Sequence, residues 1–151
     1  MNLKQSSWLA FLIVTTFFPS PANGSDDEVT LFNGRGKAVA YVAFSDELTI
    51  YLWNGKPVAY LEPDQGASGF HIYGFNGKHL GWFVDGVARD HNGDAACAVK
   101  ERVGSPEYEP YKAYKEYKPY KSYKVYAPYR PAFSRVFGNT TCSAFVAEGG
   151  K

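Results

Sequence analysis

The sequence repeats one short pattern: an alternating apolar run, an Asn-Gly pair, a Lys or Asp, and a second apolar run. The four copies read VTLFNGRGKAVAYV (29–42), TIYLWNGKPVAYL (49–61), HIYGFNGKHLGWF (71–83) and VARDHNGDAACAV (87–99). Asn-Gly between such runs is typical of a β-hairpin, because both residues tolerate the positive φ of a type I′ turn. The first copy predicts a longer loop, residues 33–36. The pattern therefore predicts eight short strands in four hairpins, with no helical period.

The two-residue turn also predicts which side chains share a face of each hairpin. In the second copy Tyr51 should lie opposite Val58, and Ile50 opposite Ala59, since strand side chains alternate between faces. One face is then aliphatic and the other aromatic. Aromatic side chains exposed on a strand face need cover or a ligand. The candidate binding residues on this face are Tyr51, Trp53, Tyr60, Tyr73 and Trp82.

Small residues recur once per hairpin on the aliphatic face. Ala40, Ala59, Gly81 and Cys97 occupy the same position of the four copies. Such a column is expected where backbones approach one another closely around a common axis. The same column would also arise if small residues simply matched large partners across the strands, and both explanations stay open.

These repeats resemble the four-fold β-flower domain family over residues 28–101. The resemblance rests on the second and third copies, with weaker first and fourth copies. It implies an all-β fold: a shallow eight-stranded barrel of four hairpins in pseudo-fourfold arrangement. Members of the family are found in bacterial envelope or secreted proteins. The resemblance implies no particular biochemical activity.

Residues 1–22 are typical of a cleavable export signal. Lys4 gives a basic start, residues 8–18 are apolar, and Ser20-Pro21-Ala22 offers small residues for cleavage near Ala22. The alternative, a membrane anchor, is disfavoured because the apolar run is too short to cross about 30 Å of hydrocarbon. We expect a periplasmic or extracellular protein.

A tyrosine-rich tail, residues 106–133, follows the repeats and precedes a C-terminal segment, 134–151. Tyrosine recurs at every third position from Tyr108 to Tyr129, and Lys or Arg follows six of the eight tyrosines. A period of three fits polyproline II rather than a helix or strand. The tail either projects from the barrel or folds back so that its tyrosines stack on the barrel's aromatic rings. The candidate binding residues here are Tyr111, Tyr114, Tyr117, Tyr120 and Tyr123.

Residues that could carry chemistry are few. Cys97 and Cys142 are the two cysteines; after export they would form a disulfide or remain free thiols. The predicted register places His71 and His79 on opposite faces, so we expect no metal site. No grouping typical of a catalytic nucleophile is present, and we expect neither catalytic residues nor a cofactor. The net charge of +1 gives no reason to expect nucleic-acid binding.

Together these features predict an exported, non-catalytic interaction or structural module of the cell envelope or extracellular space. Its partner would be an envelope polymer, a glycan or a membrane surface, or, for the tail, the chain's own β-domain. The alternative is an apolar small-ligand or lipid binder, with the ligand in the channel of the β-domain.

Overall fold

The computed structural model describes residues 27–151, and the predicted export signal lies outside them. Eight antiparallel strands form a closed barrel in chain order, which confirms the predicted all-β fold. The strands are β1 Glu28–Phe32, β2 Ala38–Ala43, β3 Thr49–Leu52, β4 Pro57–Pro63, β5 Phe70–Gly74, β6 His79–Val84, β7 Val87–Arg89 and β8 Ala95–Ala98. One α-helix, α1 (Cys142–Ala147), and two 3₁₀ segments, Lys100–Arg102 and Glu148–Gly150, complete the described elements.

The hairpin turns differ from the predicted two-residue type. In the second hairpin the Leu52 N–H donates to the Lys56 carbonyl at 2.9 Å, so the loop holds three residues. Asn54 keeps negative φ and its side chain accepts the Lys56 N–H. Such a side-chain hydrogen bond favours a three-residue loop with a left-handed glycine over type I′. The glycine with positive φ in each of the four turns is Gly36, Gly55, Gly77 or Gly93.

The first turn is correspondingly shorter than predicted. The Asn33 N–H donates to the Lys37 carbonyl, leaving three loop residues instead of four. All four turns therefore have the same length, and the left-handed residue of the first is Gly36 rather than Gly34. The pseudo-fourfold repeat is more regular in structure than in sequence.

Each of these turns is accompanied by a β-bulge, so the observed strand register next to the turn differs from the predicted one. Ile50 lies opposite Ala59 as predicted, but Tyr51 lies opposite Pro57 instead of Val58. The extra loop residue displaces the pairing by one position next to the turn. Val58 consequently lies in the core beside Ala59.

The barrel interior is filled by side chains from the strands and from helix α1. The column of small residues, Ala40, Ala59, Gly81 and Cys97, lies on this interior face. Phe145 and Val146 of α1 pack in the same core, and the Phe145 ring lies against Gly81. A Cβ on Gly81 would also lie 1.8 Å from the carbonyl oxygen of Arg89 on the neighbouring strand. The small residues thus allow close approach of backbones and leave room for the helix.

Helix α1 is fixed at its start by a cap and a disulfide. The Thr141 hydroxyl oxygen accepts the Ala144 N–H at 3.3 Å, a typical N-cap. Cys142, the first residue of the helix, is joined to Cys97 of β8. No helix in the described part of the chain has the length and apolarity needed to span a bilayer.

Candidate functional site

The tail lies on the barrel and passes its four hairpin turns in order. Residues 105–137, which we call the belt, form no helix and no strand apart from a single bridge between Phe137 and Ala95. The belt meets the first turn at Ser105 and ends with the Phe137 ring against Gly34, in the same turn. It therefore makes a complete circuit, and the tail does not project from the domain.

The belt is bound to the turns by backbone hydrogen bonds that recur every nine residues. In each turn the left-handed glycine accepts one belt N–H at 2.7–3.0 Å; the donors are Glu107, Glu116, Val125 and Ser134. Two residues before each donor, a belt carbonyl lies against the same glycine; these are the carbonyls of Ser105, Tyr114, Tyr123 and Ala132. One nine-residue stretch of belt thus spans one hairpin.

The glycine at each turn is required twice. Gly55 has φ of +88°, a region that L side chains rarely adopt. A Cβ there would also lie 1.9 Å from the carbonyl oxygen of Tyr114. The conformation of the turn and the close approach of the belt to it therefore depend on the same residue.

The nine-residue period has a sequence signal that the triplet frame obscures. Pro110, Pro119 and Pro128 are spaced by nine. Proline lacks an N–H, and none of the three stands at a donor position. The prolines therefore stiffen the belt without removing a hydrogen bond. The polyproline II conformation itself stays a prediction.

The cations of the belt face inward. Between the first two hairpins, the Lys112 ammonium lies 4.3 Å from the centroid of the Tyr41 ring, and that of Lys115 lies 5.4 Å from the Tyr51 ring. Both ammonium groups pair with the Glu28 carboxylate, Lys115 at 2.6 Å. A cation over a ring and beside a carboxylate gains from both contacts where water is partly excluded.

The same arrangement recurs between the second and third hairpins. The Lys121 ammonium lies 4.3 Å from the Tyr60 ring centroid and Lys124 lies 5.4 Å from that of Tyr73. Lys124 pairs with Glu62. In the next nine-residue stretch, Arg130 takes the place of Lys121 and pairs with Asp64 at 2.7 Å.

Ion pairs with belt lysines lower the pKa values of two barrel acids, Glu28 and Asp46. Burial raises the pKa of Glu28, but hydrogen bonds from Lys112 and Lys115 outweigh it, and the pKa is lowered overall. The pKa of Asp46 is lowered mainly by its hydrogen bond from Lys118, at 2.7 Å. The acids are therefore charged at neutral pH, and the belt is held by ion pairs as well as by backbone hydrogen bonds.

The candidate residues on the barrel are covered by the belt. Tyr51, Tyr60, Tyr73 and Trp82 are buried and Trp53 is half-buried. Burial raises the pKa of Tyr60 to about 12. The three tyrosines and Trp53 lie beneath lysine side chains, and Trp82 packs against Phe133 of the belt. The four buried rings therefore offer no free surface to an outside partner.

The candidate residues on the tail lie on the opposite side. All eight belt tyrosines, including Tyr111, Tyr114, Tyr117, Tyr120 and Tyr123, have 95–103% of their reference surface exposed. The expectation that they stack on the barrel's aromatic rings is wrong. The residues of a triplet point in different directions. The lysines are the ones that point toward the barrel, where their side chains can contact both a ring and an acid.

A row of histidines lies beneath the third nine-residue stretch. Nδ1 of His71 is 3.0 Å from Nε2 of His79, and Nδ1 of His79 is 2.9 Å from Nε2 of His91. The predicted placement of His71 and His79 on opposite faces is wrong, because the bulge in this hairpin brings His79 opposite Tyr73. Burial, with smaller effects of the two neighbouring histidines, lowers the pKa of His79 to about 4.

The histidines of this row contact one another through their ring nitrogens. Each contact within the row is satisfied when one ring donates from Nε2 and the next accepts at Nδ1. Nε2 of His71, at the end of the row, lies 3.5 Å from an Asp64 carboxylate oxygen. Within residues 27–151, no three His, Cys, Asp or Glu side chains are grouped so that they could hold a metal ion.

Comparison with known proteins gives one match. The family model described as 4-fold beta flower protein matches residues 29–146. The matched range extends past the four hairpins, through the belt and into helix α1. Neither the curated proteins nor the solved structures gave a match. The family's description names an architecture and no catalytic activity. With four hairpins closed into one barrel and more than half of its residues matched, the chain belongs to the 4-fold beta flower proteins.

Proposed function

We propose that this chain is an exported, non-catalytic interaction module that binds a neutral polysaccharide of the cell envelope or extracellular space through the tyrosines of its belt. The single observation that carries the proposal is the full exposure of all eight phenol rings. Large aromatic side chains exposed together are typical of an interaction surface.

Tyrosine suits such a surface for two reasons. Its ring offers a large contact area at a low cost in conformational entropy, and its hydroxyl can donate and accept hydrogen bonds. The belt holds the backbone of these residues in place at each turn, for example through the hydrogen bond from Val125 to Gly77. The binding surface is therefore preorganised, which lowers the cost of association.

The charges of the belt favour a neutral partner. Five lysines of the belt and Arg130 are paired with barrel acids or lie over barrel rings. Carboxylates at Glu107, Glu109 and Glu116 are exposed on the belt itself. A membrane surface or polymer carrying negative charge would meet these carboxylates, while the lysines of the belt are already engaged with the barrel. A glycan without charge meets no such penalty.

Three further observations bear on catalysis, on lipid binding and on export. In the part of the chain that the structure describes, no serine hydroxyl or thiol hydrogen-bonds a histidine, as nucleophilic catalysis would require. Phe145, Val146 and the disulfide fill the barrel core, which disfavours a lipid in a central channel. The disulfide also supports export, since such bonds persist in oxidising compartments.

Co-sedimentation with insoluble polysaccharides tests the proposal. The full chain would be mixed separately with cellulose and with chitin, two insoluble polysaccharides without charge, and the bound fraction measured. We expect binding to at least one of them, and its loss in a variant with Tyr111, Tyr114, Tyr117, Tyr120 and Tyr123 all changed to Ser. The same five positions changed to Phe are the matched control, which keeps the rings and retains binding.

The outcome that contradicts the proposal is equally direct. If the unaltered chain binds neither polysaccharide, or if the serine variant binds as well as the unaltered chain, the belt is not a glycan-binding surface. Export is tested separately by N-terminal sequencing of the protein recovered from its host, which should begin at Asn23.

A further inference from the structure

A cleft of about 420 Å³ opens between the second and third hairpins, where the belt crosses from one turn to the next. Its lining includes Lys56, Phe75, Glu116, Tyr117, Tyr120 and Ser122. The 3₁₀ segment Glu148–Gly150 adds a further wall through its two glycines. The volume falls within the range of about 300–1,000 Å³ that is typical of small-ligand sites.

The walls of this cleft are fixed at both ends. The Glu116 N–H donates to the Gly55 carbonyl at 2.9 Å, and the Ser122 N–H donates to the Phe75 carbonyl at 2.8 Å. Between these two anchors the belt backbone makes no hydrogen bond to the barrel within the described residues. The belt thus forms an arch over the cleft, with its ends held in place.

The opposite wall is fixed by Asn76. Its side-chain amide donates to the Glu148 carbonyl at 2.7 Å, and its backbone N–H donates to the Gly149 carbonyl at 3.1 Å. The cleft is therefore formed before any ligand arrives, which is the usual condition of a binding site.

The side chains of the cleft combine rings with both kinds of polar group. The rings of Tyr117 and Tyr120 stand free at the mouth, and Phe75 is buried in the wall. The Lys56 ammonium can donate and the Glu116 carboxylate can accept hydrogen bonds. Neither belongs to an ion pair among residues 27–151.

A pyranose ring matches this combination. Its C–H face is apolar and stacks on aromatic rings, while its hydroxyl groups both donate and accept around the edge. The Lys56 and Glu116 charges have opposite signs, so together they favour a neutral ligand over a charged one.

The repeat of the belt shows that this combination is particular to one junction. Each of the three nine-residue stretches carries a pair of tyrosines in the same frame: Tyr108/Tyr111, Tyr117/Tyr120 and Tyr126/Tyr129. At the position of Glu116 the other stretches have Glu107 and Val125, and at the position of Ser122 they have Ala113 and Pro131. Acid and hydroxyl occur together only in the middle stretch.

We propose that this cleft is the saccharide subsite of the belt, which takes one or two pyranose units of a neutral glycan. This inference rests on the proposed function and adds to it the place where the sugar is recognised. The remaining tyrosines extend contact along the polymer, while the Glu116 and Ser122 side chains select for hydroxyl groups.

The test compares matched variants of the full chain in isothermal titration calorimetry. The probes are the soluble hexamers of β-1,4-linked glucose and of β-1,4-linked N-acetylglucosamine. We expect Glu116→Gln combined with Ser122→Ala to weaken binding at least tenfold. Glu107→Gln, at the same frame of the preceding stretch, should leave affinity within about twofold. Glu116 and Ser122 hold the arch through backbone groups, so unchanged thermal unfolding will show that the variant folds.

The outcomes separate this inference from the proposed function. Equal affinity of the cleft variant and the Glu107→Gln variant overturns the subsite, even where the five-tyrosine serine variant has lost its binding to polysaccharide. Failure of the unaltered chain to bind either hexamer, while it still sediments with an insoluble polysaccharide, also overturns the subsite and leaves the belt proposal standing. Failure in both assays overturns both proposals.

Discussion

Mild acid should destabilise this protein through one buried histidine. The His79 side chain is only 5% exposed and its two ring nitrogens contact His71 and His91. The rings of Tyr73 and Trp82 pack against it, and the Asp64 carboxylate acts in the opposite direction by raising its pKa. Burial, with repulsion from the neighbouring histidines, lowers the pKa of His79 from 6.5 to about 4.

The direction of the effect follows from the sign of this change. A base whose pKa is lower in the folded than in the unfolded chain stabilises the fold fully above pH 6.5, and this contribution is lost as the pH falls toward 4. At about 1.4 kcal/mol per pH unit, the whole difference amounts to about 3 kcal/mol, of which about 2.5 kcal/mol is lost by pH 4.5. Glu28 and Asp46, which pair with belt lysines, have lowered pKa values, so their contribution is lost mainly below this window.

Urea unfolding at pH 7.5 and pH 4.5 measures the effect. The free energy of unfolding of the unaltered chain should fall by about 2.5 kcal/mol more than that of His79→Gln, which keeps a donor and an acceptor but does not titrate. Lys78→Gln, an exposed neighbour, should behave as the unaltered chain does. Equal losses in the unaltered chain and His79→Gln would refute the reasoning. So would a midpoint near pH 6.5 for the His79 ring signals in an NMR titration of the unaltered chain, a measurement that needs no variant.

Three other predictions concern how the belt is held. Gly77→Ala should lower the free energy of unfolding by at least about 1–2 kcal/mol, because φ is +85° and the new methyl group would meet the Tyr123 carbonyl. Gly104→Ala, which has open space around it, should be nearly neutral in the same urea assay. Glu28→Gln loses two ion pairs, so it should lower the free energy of unfolding by about 1–2 kcal/mol and speed trypsin cleavage in the belt. Glu109→Gln should change neither the free energy of unfolding nor the cleavage rate. Reducing the disulfide, which closes a separation of 45 residues, should cost about 4 kcal/mol, and unchanged thermal unfolding in dithiothreitol would contradict this.

The sequence predicts the barrel well because the hairpin signal is local. Alternating apolar runs around Asn-Gly are sufficient to define four hairpins and eight strands. The turn type is harder to predict, since Asn54 is compatible with positive φ and also with the side-chain hydrogen bond that it makes in the structure. Asn76 makes the same hydrogen bond in the third turn. The resulting bulges shift the partner of Tyr51 by one residue and reverse the expected placement of His79.

The candidate site was only partly predictable for a different reason. The triplet period separates tyrosines from lysines but does not say which of them faces the barrel. That depends on acids far away in the sequence, such as Glu28 for Lys112, and on the Tyr41 ring beside it. A contact between residues 84 apart leaves no trace in the local pattern. The spacing of the prolines by nine is the one signal that relates the tail to the hairpin repeat.

The match between nine belt residues and one hairpin limits how this molecule can change in evolution. Deleting a single triplet would still present tyrosines to solvent, yet every donor beyond the deletion would miss its glycine carbonyl. Only the gain or loss of a whole nonapeptide, together with a hairpin, would keep the two in step. Insertions and deletions should therefore be rare between positions 107 and 134. Substitutions at the outward-facing positions of the belt, in contrast, can change which partner it binds without destabilising the fold.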